Sequence, residues 1–149
     1  NYTPTQFAAL QHHLPFPIAT HQPELSVWTI ASLRDGILDQ CLQYGVTPLA
    51  WSPLAGGRLG YSIDQARQET DGERLAALLT CLDRFAARED VPRSAIALAF
   101  LLAHPAQVIP IIGTQQVARI RESIAALTVR LSRADWYEIL TASQGEPLP

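Results

Sequence analysis

The clearest pattern of apolar and polar positions lies near the end of the chain. Residues 108–112 read VIPII, with Val and Ile on both faces, which is typical of a strand buried on both sides in a parallel sheet. Gly113 and Thr114 then form a turn. The helical stripe that follows consists of Val117, Ile120, Ile124 and Leu127. The pattern therefore predicts a buried strand, a tight turn and an amphipathic helix.

The same two periodicities divide the rest of the chain into alternating strands and helices. Further strands are predicted at residues 18–22 and 46–51. Further helices are predicted from Thr3 to about residue 14 and at residues 37–44, 73–88, 94–104 and 133–142, and an irregular loop at residues 28–34. The helix at 73–88 is predicted to bury one face, formed by Leu75, Leu78, Leu79, Leu82 and Phe85, and the apolar girth of the helix at 94–104 predicts packing on two sides. The residues that mark helix ends are Thr3 with Gln6, Ser132 with Asp135, Pro92 at a first helical position, and Gly45 as a left-handed cap. Residues 58–72 have no strong period and are predicted to be a mobile loop and the candidate linker, and residues 145–149 a tail.

A strand, a glycine turn and a helix N-terminus can together bind an anion. The first backbone N–H groups of a helix have no partner within the helix, and the macrodipole adds to their attraction. Arg119 and Arg121 lie just inside the predicted helix, where Arg119 could bind a phosphate with two hydrogen bonds. An ordinary strand–turn–helix with solvated arginines fits the same residues, so this pattern alone leaves both alternatives open.

Four segments resemble, in order, motifs of the aldo-keto reductase family. Asn1 with Thr3-Pro4 resembles the Ser-Asn-(x)-Thr-Pro step after the fifth barrel strand, and HQPELS at residues 21–26 resembles Asn-Gln-x-x-x-Ser on the sixth. AWSPLAGG at residues 50–57 resembles Tyr-Ser-Pro-Leu-x-x-Gly after the seventh strand. The turn at residues 113–114 and RIRES at 119–123 resemble the Gly-Thr/Ser turn and Arg-x-x-Glu-Asn after the eighth. Four matches in order identify the chain as a member of this family.

The resemblance implies an α/β fold, namely the C-terminal half of a (β/α)₈ barrel with about three parallel strands and surrounding helices. It also implies one partial domain over residues 1–149. A whole barrel needs about 250 residues, and the chain begins with Asn and contains no Met, so we expect a part of a longer product. The family's catalytic Asp, Tyr, Lys and His belong to the first half of the barrel. No catalytic residue is therefore assigned, and we expect the chain alone to lack reductase activity.

The resemblance assigns Asn1, Gln22 and Trp51 to a cofactor site, the last two at its nicotinamide end. The family residue that matches Gln22 bonds the nicotinamide carboxamide, for which an amide is suited because it both donates and accepts. Trp51 stands where the family usually has a Tyr that stacks on the nicotinamide, and the alternative is a Trp that fills the barrel mouth. The residues implied to lie against the pyrophosphate are Ser52, Pro53, Leu54 and Gly56.

At the other end, the resemblance assigns phosphate contacts to Gly113 and Thr114. Arg119 matches the residue that packs on the adenine and approaches the ribose 2′-phosphate, and Glu122 matches the acid that accepts from the adenine amine. Ser123 replaces the family's Asn, which weakens the second adenine contact. No lysine lies beside Thr114, where many relatives have one. The expected cofactor is NADP, and NAD is the weaker alternative.

Composition narrows the classes of partner. The net charge of −3 argues against nucleic acid, and no apolar run reaches the roughly 18 residues of a membrane span. Cys41 and Cys81, without CxxC spacing, are predicted to be buried free thiols of a cytoplasmic protein. The histidines show no spacing typical of metal ligands. A small carbonyl substrate and a nicotinamide cofactor therefore remain the expected partners.

These observations predict the C-terminal portion of an NADP-dependent aldo-keto reductase, which reduces aldehyde or ketone carbonyls by hydride transfer. An alternative from another class is a non-catalytic nucleotide-binding or assembly module that either self-associates or completes a barrel with another chain, because half a barrel exposes strand edges that invite pairing. A redox-sensing relative would share the same site residues, and the sequence does not separate it from the enzyme.

Overall fold

The computed structural model describes residues 1–147, in which three parallel strands form a sheet flanked by helices. The strands are β1 (Thr20–His21), β2 (Thr47–Ala50) and β3 (Ile109–Pro110), in the order β1-β2-β3. Thr20 is opposite Thr47, and Leu49 is opposite Ile109. Because the strands run in the same direction, their carboxyl ends meet at one edge of the sheet. The predicted strands are thus present, each shorter than expected.

Helices occupy the connections between the strands. They are α1 (Pro4–His13), α2 (Ile37–Tyr44), α3 (Ile63–Ala66), α4 (Gly72–Glu89), α5 (Arg93–Leu102), α6 (Val117–Ile124) and α7 (Arg133–Gln144). Short 3₁₀ turns lie at Ala31–Leu33, Ala55–Gly60 and Ala125–Leu127. The first of these turns lies within residues 28–34, where the sequence predicted only an irregular loop. In the described part of the chain, no helix is both long enough and apolar enough to cross a membrane.

Helices α4 and α5 supply most of the main core. The inward positions predicted for α4 are all buried, and they are Leu75, Leu78, Leu79, Leu82 and Phe85. In α5 every residue from Ala95 to Leu101 is buried, which confirms the prediction that this helix packs on two sides. Burying one Leu or Phe contributes about 1.5–3 kcal/mol. These two helices therefore hold the sheet in place more than its few ladder bonds do.

A second, smaller core joins α1 to α2 and the start of β2. Phe7, Cys41 and Val46 are buried together there, with Ile18 and Ile37 packed against them. Burial raises the pKa of the Cys41 thiol, as expected for an inert buried cysteine. Cys81 is also a free thiol but is only half-buried, so the prediction of two fully buried cysteines was wrong for this residue.

Local capping chemistry was predicted well. Thr3 with Gln6 and Ser132 with Asp135 form complete capping boxes, and Gly45 ends α2 in the left-handed conformation. Pro92 was predicted to be the first helical residue, but it is the N-cap, with an extended ψ of 151°. The chain reverses between α4 and α5 through Asp90, whose φ is 52°, and the extended Pro92 completes that reversal before α5 begins.

The prediction that residues 58–72 form an irregular mobile loop was wrong. This segment ends the second 3₁₀ turn and contains α3, whose N-terminus has a capping box formed by Ser62 and Gln65. Leu59 and Ala66 are buried in the main core, which anchors the segment. Its apolar positions are too widely spaced to give a helical period, so contacts with the rest of the protein, rather than local pattern, order it.

One expectation about the end of the chain also failed. Residues 108–112 were predicted to be buried on both faces, but Ile109 and Ile111 are 51% and 37% exposed, whereas Val108, which alternates with them along the strand, is buried. One face of this strand is therefore covered and the other is open. The predicted apolar stripe is largely exposed: Val117 and Ile124 in α6 and Leu127 in the 3₁₀ turn after it are 61%, 57% and 61% exposed. No residue of α6 itself is buried. The apolar stripe of α6 was identified correctly, but the described residues leave most of it uncovered. Of the predicted tail, Leu148 and Pro149 lie outside the described residues.

Candidate functional site

The carboxyl edge of the sheet brings together the residues predicted for the nicotinamide end. Gln22 directly follows β1 and is exposed, and Trp51 directly follows β2. The parallel pairing continues past the strand ends, because the Trp51 N–H donates to the Pro23 carbonyl at 3.0 Å. The backbone of Trp51 is therefore held beside the segment that follows Gln22.

A hydrogen bond joins Asn1 to Trp51 at this edge of the sheet. The Trp51 indole N–H donates to the Asn1 side-chain oxygen, and the two atoms lie 3.1 Å apart. The next residue, Tyr2, donates its backbone N–H to Nε2 of His21 at 3.2 Å. The start of the chain is thus tied to both β1 and β2, and sequence reasoning had not assigned His21 any role.

His21 is 4% exposed, and its environment favours the neutral imidazole. Burial lowers the pKa of His21. Because Nε2 accepts a hydrogen bond, the ring proton is on Nδ1, which has no hydrogen-bond partner within residues 1–147. The sequence did contain a hint, since His21 stands at a position where the resembling motif has Asn.

Two cavities adjoin at this edge and share Glu24. One, of about 530 Å³, is lined by Asn1 and Trp51 among others. The other, of about 320 Å³, lies beside the loop that follows β2, and its lining includes Trp28, Ser52, Gly56, Arg58 and Tyr61. Of these lining residues, Glu24, Trp28, Arg58 and Tyr61 were not predicted as site residues. Arg58 stands directly after the glycine pair, which is the feature that could have identified it.

The loop predicted to lie against a pyrophosphate has an unusual backbone. Four of its residues have positive φ, at 49° for Ser52, 53° for Ala55, 64° for Gly56 and 95° for Gly57. Left-handed backbone is unfavourable for Ser and Ala, and such strain is concentrated at functional sites. A Cβ added at either glycine would meet nothing within 4 Å, so there is open space on that side. Pro53 is buried and Leu54 is half-buried, which leaves the exposed Gly56 as the accessible part of the loop.

The predicted phosphate turn lies after β3, on the next strand of the sheet. The Thr114 hydroxyl accepts a hydrogen bond from the Gln116 N–H at 3.1 Å, which closes the turn before α6 begins at Val117. That hydroxyl still has its own proton to donate. Gly113 is exposed and open on its Cβ side, but its φ is not positive, so the turn does not require a glycine for conformational reasons.

The charged residues of α6 are exposed and available. Neither Arg119 nor Arg121 forms an ion pair with any residue in the described part of the chain, and the same is true of Glu122. The Ser123 hydroxyl donates to the Arg119 carbonyl at 2.8 Å, so it is engaged within the helix. Arg119 lies in the first turn of α6, where an unpaired guanidinium group is suited to a phosphate, whereas Arg121 lies in the last turn. The donor groups present therefore fit a phosphorylated dinucleotide.

Metal chemistry has less support at this edge. Among residues 1–147 there is no cluster of three His, Cys, Asp or Glu side chains that could hold a metal ion. The polar groups that do converge are an amide, an indole, hydroxyls and guanidinium groups, which bind neutral polar and anionic ligands.

Parallel strands with helical crossovers and polar groups at the carboxyl edge are features of the α/β class of proteins, to which (β/α)₈ barrels belong. Comparison with known proteins then gives the family. The model of the aldo/keto reductase family matches residues 1–143, and the chain belongs to that family. A crystal structure of a thermostable aldo-keto reductase, 23% identical, superposes with a TM-score of 0.78 over 95% of this chain and 46% of that one. The fold is therefore that of part of an aldo-keto reductase barrel.

Curated relatives match the whole of the chain but only part of their own length. A 6-dehydroglucose reductase of Novosphingobium aromaticivorans is 47% identical over 100% of this chain and 46% of its own. The oxidoreductase YdhF of Escherichia coli is 38% identical over 100% and 47%. A 6-dehydroglucose reductase of Agrobacterium fabrum is 34% identical over 98% and 46%. The chain thus spans about half the length of the curated relatives that it matches.

Proposed function

We propose that residues 1–149 form one partial barrel domain that binds the cofactor of an NADP-dependent carbonyl reductase. The observation that carries this proposal is the convergence of Asn1, Gln22 and Trp51 at the same sheet edge as the Thr114 turn. Family membership supports the oxidoreductase class of the parent protein. The site groups support a ligand with an amide at one end and phosphates at the other.

Each part of the site has a role in this proposal. Asn1 and Gln22 hydrogen-bond the carboxamide, and Trp51 stacks on the pyridine ring. The loop from Ser52 to Gly56, with Pro53 and Leu54, lies against the pyrophosphate. Gly113 and Thr114 bind a phosphate at the adenosine end. When bound, the reduced cofactor would supply hydride for a carbonyl carbon.

The adenosine end decides the preference for NADP over NAD. Arg119 would bind the ribose 2′-phosphate, since its guanidinium group has no ion-pair partner among the described residues. Glu122 would accept from the adenine amine. Ser123, whose hydroxyl is bonded to the Arg119 carbonyl, would stiffen the helix rather than contact the adenine.

A sugar aldehyde is the substrate class that the relatives favour. Two of them are named 6-dehydroglucose reductase. The polar cavity that Glu24, Trp28 and Arg58 line beside the loop supports a ligand rich in hydroxyl groups. The chain contains no lysine, so a catalytic set that includes Lys must come from another segment of the parent protein. We therefore propose that the 149-residue chain is inactive by itself. The unpaired cysteines are consistent with a cytoplasmic location for the parent protein.

The test is to titrate the full-length protein with NADPH and NADH, and then to assay 6-dehydroglucose reduction. We expect NADPH to bind more tightly and turnover to require the full-length protein. Turnover by residues 1–149 alone would contradict the assignment of the chemistry to another segment. Failure of the full-length protein to bind either nucleotide would overturn the proposal.

Exposed apolar side chains support a second candidate, an assembly module. Apolar surface is open to solvent at Ile109, at Val117 and Ile124 in α6, and at Leu127 in the 3₁₀ turn that follows α6. The measurement that separates the two candidates is the solution mass of the chain with and without NADPH. A tight dimer that does not respond to cofactor would favour assembly, and a monomer that binds cofactor would favour the reductase.

A further inference from the structure

We propose that His21 and Trp51 are positioning residues that hold Asn1 in one orientation, with its amide NH₂ turned toward the ligand. The inference rests on the cofactor site proposed above and adds to it the way in which one contact is oriented. The ligand group is the carbonyl oxygen of a carboxamide attached to a pyridine ring. That oxygen accepts a hydrogen bond from the Asn1 NH₂.

The first observation concerns the bond between Trp51 and Asn1. An indole N–H is a donor only, so at 3.1 Å it must face the amide oxygen and not the amide nitrogen. This contact therefore fixes which way the Asn1 amide is turned, a choice that an isolated amide leaves open. With its oxygen directed at the indole, Asn1 offers its two N–H groups to a ligand.

The second observation concerns the backbone that carries Asn1. The Tyr2 N–H donates to Nε2 of His21, which lies 3.2 Å away in β1. His21 is itself held by burial, and its ring centroid lies 5.3 Å from that of Phe7 in the smaller core. Asn1 is thus fixed twice, through its side chain to β2 and through the following peptide to β1.

Both residues differ from the motifs that this chain resembles. His21 stands where the motif has Asn, and Trp51 stands where it has Tyr. A Tyr carries its donor at the far end of the ring, whereas an indole has an N–H on the ring edge and keeps a face for stacking. Trp51 contacts Asn1 and His21 contacts Tyr2. Because these two contacted residues are adjacent in the chain, the contacts support a joint role for His21 and Trp51.

The ligand can be described from the groups that remain. Asn1, with its oxygen occupied, recognises an acceptor, and the exposed Gln22 remains able to accept from an NH₂ group. A carboxamide has both an acceptor oxygen and an NH₂ group. Replacing its oxygen by sulfur weakens the acceptor and should weaken the contact to Asn1 alone.

The experiment compares NADPH with its thionicotinamide analogue in the full-length protein. We expect the wild type to prefer NADPH by about five- to tenfold, the contribution of one hydrogen bond. Trp51→Phe keeps a stacking ring but releases the Asn1 amide, so the preference should fall below about twofold. His21→Asn should reduce the preference less, and the double variant should lose less than the sum of the two single effects, because both act on one group.

The controls separate positioning from folding. His13→Asn, at an exposed position in α1, should leave the preference unchanged. Asn1→Asp, also exposed, keeps an oxygen for Trp51 but removes the NH₂, so it should abolish the preference even if Trp51→Phe fails to fold. A structural role alone would change stability without changing the ratio of the two affinities.

The outcomes are distinguishable. If the wild type binds neither cofactor, the proposed function fails and this inference fails with it. If the wild type binds NADPH but Trp51→Phe or Asn1→Asp keeps the full preference, this inference alone is overturned.

Discussion

The two ends of the proposed cofactor site are built in different ways. At the nicotinamide end, hydrogen bonds within the protein already fix Asn1, one from the Trp51 indole and one between Tyr2 and His21. At the phosphate end, Arg119 and Arg121 are exposed and have no ion-pair partner in the described part of the chain. One end is preorganised and the other is open.

The difference follows from the chemistry of the groups to be bound. A neutral amide is recognised by direction, so a binding residue that can rotate loses specificity, and internal hydrogen bonds prevent that rotation. A phosphate is recognised mainly by charge, which acts from several positions of a flexible guanidinium group. We therefore expect substitutions at the first end to change selectivity and substitutions at the second to change affinity.

The largest expected effect is at the open end. Arg119→Gln should weaken NADPH binding by about 10- to 100-fold, as expected for a charge-assisted hydrogen bond. NADH, which has no 2′-phosphate, should lose much less. The measurement is fluorescence titration at two salt concentrations, with Arg67→Gln as the matched control because Arg67 pairs with Asp64 and Glu73 instead. Equal losses of affinity for NADPH and NADH would show that Arg119 does not contact the 2′-phosphate.

The next effect tests the segment that was mistaken for a mobile loop. Gly72→Ala should destabilise the protein by about 1–3 kcal/mol, the usual range for overpacking. The added Cβ would lie 2.5 Å from the Arg67 carbonyl oxygen, with no flexible side chain to yield. Urea unfolding measures the change, and Gly60→Ala, where a Cβ meets nothing within 4 Å, is the control. Both ends of the site should keep their relative affinities, and an unchanged unfolding midpoint would show that the segment is mobile after all.

A smaller effect distinguishes the two ends by pH. Burial lowers the pKa of His21, while the Asp35 carboxylate opposes that shift. The unfolded state therefore binds more protons than the folded state below pH about 6.5, and stability should fall as the pH falls through that window. Burial also lowers the pKa of His104, which contributes over the same range.

The measurement that isolates His21 is the difference in unfolding free energy between the wild type and His21→Asn from pH 7 to pH 5. The variant should lose the part of the pH dependence that comes from His21 and keep the part that comes from His104. Parallel curves would show that the buried imidazole does not resist protonation.

The smallest effect concerns an ion pair between α4 and α7 and serves as the baseline. Arg88 lowers the pKa of Asp135 well below its usual range, by a paired hydrogen bond at 2.8 and 3.0 Å. The stability from this pair is present above the unfolded pKa of Asp and is lost as the pH falls through the folded pKa. Asp135→Asn should reduce stability at pH 7 by about 0.5–1 kcal/mol, since Arg88 is exposed and water screens the pair. Thermal unfolding at pH 7 and pH 3 tests this, and a larger loss at pH 3 would contradict it.

Local sequence was enough to predict features that depend on neighbours within a few residues. The capping boxes at Thr3 and Ser132, the left-handed cap at Gly45 and the helix at Ile37–Tyr44 all follow from side chains that bond or pack within one turn. The motif order was enough for the family and the barrel-type fold, which the family model and the superposed structure confirm. The assignment of cofactor residues from those motifs stays a prediction.

What only the tertiary structure decided depends on partners distant in sequence. The order of residues 58–72 comes from burial of Leu59 and Ala66 in a core built elsewhere, which no local period records. The exposure of Ile109 and of the α6 stripe depends on which surface covers them, and hydrophobic spacing shows only that a face is apolar. The ties from Asn1 to Trp51 and from Tyr2 to His21 span 50 and 19 residues. The sequence by itself thus determined the elements and the family, while the parallel register of the strands determined which side chains meet, because only that register sets strand ends side by side.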